Sequence, residues 1–462
     1  MNDIEVTTKA NETIVALATP QGRGGIAVIR ISGSTIKRIA NQLLRRAPRK
    51  RYAEYCSFLA KDGSLIDQGL ALYFPAPHSF TGEDVLELQC HGGPIVVDCL
   101  LKRVLQLGAR LARPGEFTER AFLNAKLDLV QAEAIADLIN AESEQAARAA
   151  MRSLQGDFSL RINQIRDSII ELRMWLEASI DFSDENIDCL KDGDVLTRLN
   201  SILTDIQNIK NLAKQGTLLQ EGINLAIVGP PNAGKSSLLN RLSLKEASIV
   251  TSFAGTTRDV IREKIQIEGL LIHIVDTAGL RITIDEIEKE GIKRTLAEIA
   301  KANLILWVVD HNTTRHEDLI FWKEQELFLK NIFLDNRILI IRNKIDLSQE
   351  NARIEKELNF NVIKLSAKTG EGFSLLYNYL KNYAGYTNSS ESNFSARRRH
   401  LDALSHTQMT LNKALKKIKE NTFSELIAED LAMAQNFLGE ITGHFTTHDL
   451  LGKIFSNFCI GK

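Results

Sequence analysis

No apolar run in the 462-residue chain approaches the roughly 20 residues that a membrane-spanning helix needs, so membrane residence is not expected. The start, MNDIEV, lacks the basic residues and apolar stretch of an export signal, which points to a cytoplasmic protein. Cysteines are few. Cys56, Cys90, Cys99, Cys189 and Cys459 make an odd count of 5 without metal-ligand spacing, as reduced thiols would. Charge of one sign is missing as well: 57 Lys and Arg stand against 58 Asp and Glu, a net charge of -1. No global positive field therefore draws nucleic acid, and any RNA contact must rest on a local patch. Two clusters qualify, Arg45, Arg46, Arg49, Lys50 and Arg51, and the run Arg397, Arg398, Arg399. Each alone also reads as an ordinary solvated face.

What is present is the balance of a globular protein, with 44% hydrophobic and 25% charged residues. The length suggests two or three domains. From 1 to about 124, TIVALAT, GIAVIRI, GLALYF and DVLELQ read as strands, with helices near 35–44 and 95–107, a mixed α+β domain. From 125 to 217 the pattern is helical. QAEAIADLINAESEQAARAA has high helix propensity and no Pro. Val195, Leu199, Ile202, Ile206 and Ile209 form one stripe, and Leu401, Leu404, Leu411, Leu415 and Ile418 form another. Neither is complete without a partner, so the segments flanking 218–383 are expected to pack together. Between them INLAIV, LLIHIV, LILWVV, RILIIR and NVIKL alternate with helix-length stretches, the pattern of a parallel sheet covered on both faces. The expected architecture is thus multidomain α/β: an N-terminal α+β domain at 1–124, an all-α domain at 125–217 and 384–462, and a P-loop domain at 218–383 inserted into it.

Four short strings within the insert carry chemistry: GPPNAGKS at 229–236, DTAG at 276–279, NKID at 343–346 and SAK at 366–368. Glycines in the first let backbone amides turn around phosphates at a helix N-terminus. Lys235 would reach the β- and γ-phosphates and Ser236 would join magnesium, with Asn232, Ala233, Gly234 and Ser237 completing the loop. Asp276 would hold magnesium through its water shell, and the amide of Gly279, after Thr277 and Ala278, can sense the γ-phosphate. Thr257 in AGTTRD is the candidate for a hydroxyl that reaches magnesium only with GTP bound, which makes 251–258 a switch segment. Asp346 accepts two hydrogen bonds that guanine offers and adenine does not. Asn343 addresses the opposite base edge, the Lys344 stem packs beside the ring, and Ala367, between Ser366 and Lys368, gives an amide to the guanine carbonyl. Together they predict GTP over ATP. Leu280 stands where many small GTPases place a water-orienting Gln, so another residue must position water and another charge must offset the transition state.

At this point the chain resembles a known family, the tRNA-modifying GTPases called MnmE or TrmE. The likeness runs through TPQGRGGIAVIRISG, FTGEDVLELQCHGGP, RPGEFTERAFLNAKLDLVQAEAIADLI, the G motifs, ARRRHL and the terminal FCIGK. It implies a folate-binding-like N-terminal domain and a homodimer held there, whose Ras-like G domains meet when GTP and K+ are present. Asn232 matches the family's side-chain potassium ligand, and the loop containing Thr251, Phe253 and Thr256 matches the others. Glu288 matches the acidic residue that places the attacking water. Arg30, Glu87 and Lys126 match folate-contacting positions, joined by Lys462, for a tetrahydrofolate derivative in the 5-formyl or methylene form. Cys459 lies near the family's modification site; packing and chemistry remain open for it, and His91 reads first as a turn residue. The implied function is GTP-driven addition of a carboxymethylaminomethyl-type group to C5 of the wobble uridine of tRNA. It would act with a flavin-dependent partner, MnmG or GidA, in a heterotetramer or larger complex. The rival is a ribosome-assembly switch of the Era or Der type. Such a switch would carry a KH domain or a second phosphate loop, and the sequence has neither.

Overall fold

The computed structural model describes residues 12–181, 194–244, 262–267, 269–276, 302–312, 337–348, 350–357, 360–384, 386, 394–420, 424–444, 451, 454–455, 458 and 461. The chain divides into two compact units. One comprises Met1–Ile139, Ser153–Gln207 and Asp402–Lys462; the other comprises Asn140–Arg152 and Asn208–Leu401.

The first unit holds a six-stranded sheet in the order β3-β4-β5-β2-β1-β6. Its strands are β1 Ile14–Leu17, β2 Ile26–Ser32, β3 Glu54–Leu59, β4 Leu65–Phe74, β5 Val85–His91 and the short β6 Arg110–Leu111. Period-two alternation sorts the residues. Ala27, Ile29 and Ile31 on β2, Cys56 and Phe58 on β3, and Leu86, Leu88 and Cys90 on β5 are buried on one face. Two helices cover that face, α1 Ile36–Leu44 and α2 Pro94–Gln106. α1 buries Ile36, Ile39, Ala40, Leu43 and Leu44, and α2 buries Val97, Leu100 and Val104, each a single helical stripe. Pro94 opens α2, where its missing N–H costs nothing. The other face keeps Arg30 and Glu87 directly paired across β2 and β5.

Helices follow: α3 Glu116–Leu123, α4 Leu129–Ile139, α5 Glu144–Gln155, α6 Asp157–Asp181 and α7 Val195–Glu221. Ser143 caps α5 through its Oγ, 3.0 Å from the Ala146 amide, which is why the Ala-rich run is two helices and not one. Every member of the first apolar stripe on α7 is buried. The expectation that the flanking segments pack together holds in this unit. α6 lies along α11 Ser424–Thr442, with Ile162, Ile169, Leu172 and Leu176 buried on one and Ile427, Leu431, Leu438 and Ile441 on the other. Each such side chain contributes about 1.5–3 kcal/mol of burial. Arg173 adds a 2.8 Å hydrogen bond to Gln435.

The second unit is built on a seven-stranded sheet, β12-β13-β11-β10-β7-β9-β8. Its strands are β7 Ile223–Val228, β8 Arg262–Ile267, β9 Leu270–Asp276, β10 Leu304–Asp310, β11 Ile338–Asn343, β12 Arg353–Glu357 and β13 Phe360–Lys364. The five apolar runs read from sequence are the parallel core; β8 and β12 pair antiparallel at the two edges. β12, RIEKE, is charged, as an edge strand should be. Among the described residues, α8 Lys235–Leu244 and α9 Phe373–Ala384 lie wholly in this unit, and α5, α7 and α10 Arg398–Lys419 lie partly in it. The order of the parallel strands reverses between β7 and β10. In open α/β sheets, ligands bind beyond the strand ends at such a reversal.

Candidate nucleotide site and the Arg30–Glu87 pair

β7 delivers the chain to Gly229 at this reversal. Gly229 has φ +153°, and a Cβ there would lie 2.1 Å from the Val308 carbonyl of β10. Only glycine allows the loop to turn so close to the neighbouring strand. Asn232 follows with φ 63°, a left-handed conformation that Asn tolerates better than most residues. α8 begins at Lys235, and its first i→i−4 bond runs from the Leu238 amide to the Gly234 carbonyl at 2.9 Å. The amides before Leu238 have no helical acceptor, which is the donor set an anion needs. Lys235 Nζ donates to the Gly229 and Pro230 carbonyls, both at 2.8 Å, so its ammonium sits at the loop mouth. Ser236 and Ser237 are exposed on the first turn.

Three loops meet at Asn343, which ends β11 and is 1% exposed. Its Nδ2 donates to the Ala233 carbonyl at 2.9 Å, and its Oδ1 accepts from the Lys344 and Ala367 amides at 2.8 and 2.9 Å. Gly234 fits beneath it, since a Cβ there would meet Asn343 Nδ2 at 2.3 Å. Asn343, expected to address a base edge, is thus also the tie between the 229–236 loop and the loops at 343–346 and 366–368. The Ala367 amide, expected to face the guanine carbonyl, donates to Asn343 Oδ1 in this structure. Asp346 accepts a 2.6 Å hydrogen bond from the Ser366 hydroxyl, which fixes the carboxylate. The 366–370 turn is held from outside by Arg241, which donates to the Lys368 and Thr369 carbonyls at 3.0 and 2.6 Å.

Lys344 has φ 70°, and its Nζ lies 2.7 Å from Asp310 Oδ2 at the end of β10. Burial pushes the Asp310 carboxyl up. The hydrogen bond from Lys344, the Asn312 amide, the Lys344 charge and His311 outweigh it and hold the carboxyl below its ordinary value. Asp310 and Arg241 escaped the sequence reading. An Asp closing the apolar run LILWVV was the available signal for the first; nothing marked the second.

Asp276 closes β9 in parallel register with Ile227, one strand from the phosphate loop. Thr251, Phe253, Thr256, Thr257, Thr277, Ala278, Gly279, Glu288, Cys459 and Lys462 lie outside the described residues. The donor set that is described fits a nucleotide: the backbone amides of a helix start and an ammonium for phosphate, a hydroxyl at Ser236 for a divalent cation, and a fixed carboxylate for a base edge.

In the first unit, Arg30 Nε donates to Glu87 Oε1 at 2.8 Å, with the side chains 20% and 18% exposed. The guanidinium lies 5.5 Å from the Phe80 ring centroid and 5.9 Å from that of Phe117. It also reaches the Gly461 carbonyl at 3.5 Å, which brings the C-terminal residues to β2. Lys126 is exposed, and its stem lies over Gly82 in the loop that carries Phe80. That loop is pinned by Asn124 to the Thr81 carbonyl at 2.7 Å and by Arg120 to Glu83 at 2.9 Å. Arg120 is shared with Glu116, which Arg110 and the Arg113 amide also bind. Aromatic faces, a guanidinium and a carboxylate together fit a heteroaromatic ring with a carboxylate tail. Among the described residues no cluster of three or more His, Cys, Asp and Glu could hold a metal ion, and no helix is long and apolar enough to cross a membrane.

A family model described as the GTP-binding protein TrmE N-terminus matches residues 13–126, and one described as the MnmE helical domain matches 129–459. Among relatives named tRNA modification GTPase MnmE, that of Pasteurella multocida (strain Pm70) is 54% identical over 452 residues, 98% of this chain and 100% of its own length. That of Coxiella burnetii (strain Dugway 5J108-111) is 56% identical over 455 residues, 98% and 99% of the two chains. That of Yersinia pestis bv. Antiqua (strain Angola) is 52% identical over 453 residues, again 98% and 99%.

Proposed function

The chain belongs to the family of tRNA modification GTPases named MnmE, and from this premise we propose that it hydrolyses GTP to drive modification of the wobble uridine in tRNA. The observation that carries the reading is the tie made by Asn343. One buried amide links the phosphate loop to both base-reading loops, so base recognition and phosphate position are mechanically coupled.

In this reading Asp346 and Asn343 select guanine, while Lys344 packs its stem along the ring. The phosphate-loop amides and Lys235 hold the phosphates. Ser236 and Thr257 would hold Mg2+, and Asn232 with Thr251, Phe253 and Thr256 would hold K+; bound there, the two ions would supply the positive charge that phosphoryl transfer needs. Leu280 cannot orient water, and Glu288 takes that task. The G domains of two copies meet around GTP and part after hydrolysis, while the N-terminal domains keep the homodimer together. Arg30, Glu87, Lys126 and Lys462 would hold a tetrahydrofolate derivative, which carries the one-carbon unit. Base chemistry is shared with the flavin-dependent partner MnmG, and the product is a carboxymethylaminomethyl-type group at C5. The boundaries read from sequence, 1–124, 125–217, 218–383 and 384–462, are kept as the proposed domain limits, and the cytoplasm as the proposed location.

Nucleoside analysis of total tRNA from cells with and without this gene tests the reading. Loss of the C5 group on wobble uridine in the deleted strain supports it; identical nucleoside profiles overturn it.

A further inference from the structure

Arg45, with φ 60°, caps the C-terminus of α1, and the chain then passes through a bridge from Lys50 to Tyr73 of β4 and Arg51, φ 56°, before entering edge strand β3. This corner exposes Arg45, Arg46, Arg49, Lys50 and Arg51. The single carboxylate of segment 45–54, Glu54, is 6% exposed and already shared by Arg46 at 2.9 Å and Arg49 at 3.0 Å. Five cations against one carboxylate leave four positive charges in ten residues. Arg51 spends a hydrogen bond on the His78 carbonyl and keeps its charge. Arg45 and Lys50 have no ion-pair partner among the described residues.

Charge alone would be a solvated face, but aromatic planes are built into this one. The Arg49 guanidinium lies 3.9 Å over the Tyr52 ring, and both are exposed. Tyr55 is 66% exposed beside an open hollow of about 530 Å³ lined by Arg45, Arg46 and Ser57 among others. Cations grip phosphates, while aromatic rings and guanidinium planes stack on unpaired bases. A duplex keeps its bases stacked inside and offers Tyr55 nothing. A second copy of the chain fits poorly, because a two-fold contact would set the same four charges against themselves.

Location adds a reason. Tyr55 pairs with Leu70 and Leu70 with Gln89, so all three share a sheet face with Glu87 and Arg30. Strand spacing puts Tyr55 on the order of 12 Å from Glu87. We propose that the corner formed by Arg45, Lys50, the Arg49–Tyr52 stack and Tyr55 docks unpaired nucleotides of the RNA substrate and leads the strand toward the Arg30–Glu87 pair. This rests on the tRNA reading above.

The test uses the full chain, an unmodified tRNA transcript, a single-stranded oligouridylate and an RNA duplex, with affinity measured across salt concentrations. Arg45→Gln with Lys50→Gln should weaken tRNA about tenfold near 0.15 M salt and lower the salt slope by about 1.4. Tyr55→Ala should weaken the single strand about tenfold or more and spare the duplex, and Tyr55→Phe should retain binding. GTP hydrolysis without RNA should not change in any variant. Wild-type affinity and slope in both Arg45/Lys50 and Tyr55→Ala variants overturn the surface. So does a variant that falls to monomer with RNA binding intact, which would assign the corner to a second copy. Wild-type chain without measurable tRNA affinity overturns the tRNA reading itself, and this surface with it.

Discussion

Lys344 Nζ is anchored 2.7 Å from Asp310 Oδ2, so the lysine proposed to flank guanine is aimed by a carboxylate on a neighbouring strand. Without that anchor the side chain regains its rotamers and must lose them again on binding. Asp310→Ala should weaken GDP and GTP about tenfold, and Asp310→Asn less. Titration with a fluorescent guanine nucleotide measures this; unchanged affinity in Asp310→Ala would mean that Lys344 does not flank the base.

Asn343→Ala removes the tie and leaves the Ala233 carbonyl and Ala367 amide without it. Each unsatisfied buried group costs about 1–3 kcal/mol, so stability should fall by about 2–4 kcal/mol and nucleotide affinity by more than thirtyfold. Gly234→Ala should act on the same joint, since its Cβ would press on Asn343. Thermal unfolding with and without GDP separates the two effects. A variant stable in isolation that still binds GTP normally would contradict the coupling.

Asn232→Ala should abolish potassium stimulation while leaving nucleotide affinity within about threefold, because the phosphate-loop amides are untouched. Hydrolysis compared in KCl and NaCl is the measurement. Equal rates in the two salts for the unmutated protein would remove the ion from the mechanism.

Glu116 offers a test of the first unit. Burial pushes its carboxyl up, but the Arg110 hydrogen bonds, the Arg113 amide and the charges of Arg110 and Arg120 overcome this and lower it from 4.5 to about 2. A depressed carboxyl stabilises the fold above its unfolded pKa and ceases to do so as pH falls through the folded one. Its contribution, about 3 kcal/mol at neutral pH, should fade between pH 4.5 and about 2. Glu116→Gln should lower Tm at pH 7 and converge on the parent as the pH approaches 2. A gap independent of pH would show that packing, not charge, is lost.

The parallel core of the second unit was legible because buried central strands are continuous apolar runs: INLAIV, LILWVV and RILIIR. Edge strands β8 and β12 were not, since REKIQI and RIEKE read as polar segments until a neighbour supplies hydrogen bonds. The motif loops named the nucleotide residues, and Arg30 with Glu87 came from the family likeness. What sequence could not give was the joinery. Asn343 to Ala233 spans 110 residues, Arg241 to Thr369 spans 128, and Arg30 to Gly461 spans 431, and such contacts leave no local periodicity. The basic corner at 45–51 was visible as charge, but its aromatic planes became apparent only when Arg49 was found stacked on Tyr52.

The central claim is that guanine recognition at Asp346 drives base modification, and exchanging the nucleotide tests it most directly. Asp346→Asn inverts one edge of the hydrogen-bonding pattern and should favour xanthosine triphosphate over GTP. Mass spectrometry of the wobble uridine, in a reaction with the proposed flavin-dependent partner, tRNA and the proposed folate derivative, reads the outcome. The account predicts modification by this variant with xanthosine triphosphate and little with GTP. Equal modification with either nucleotide, or with none, would contradict it.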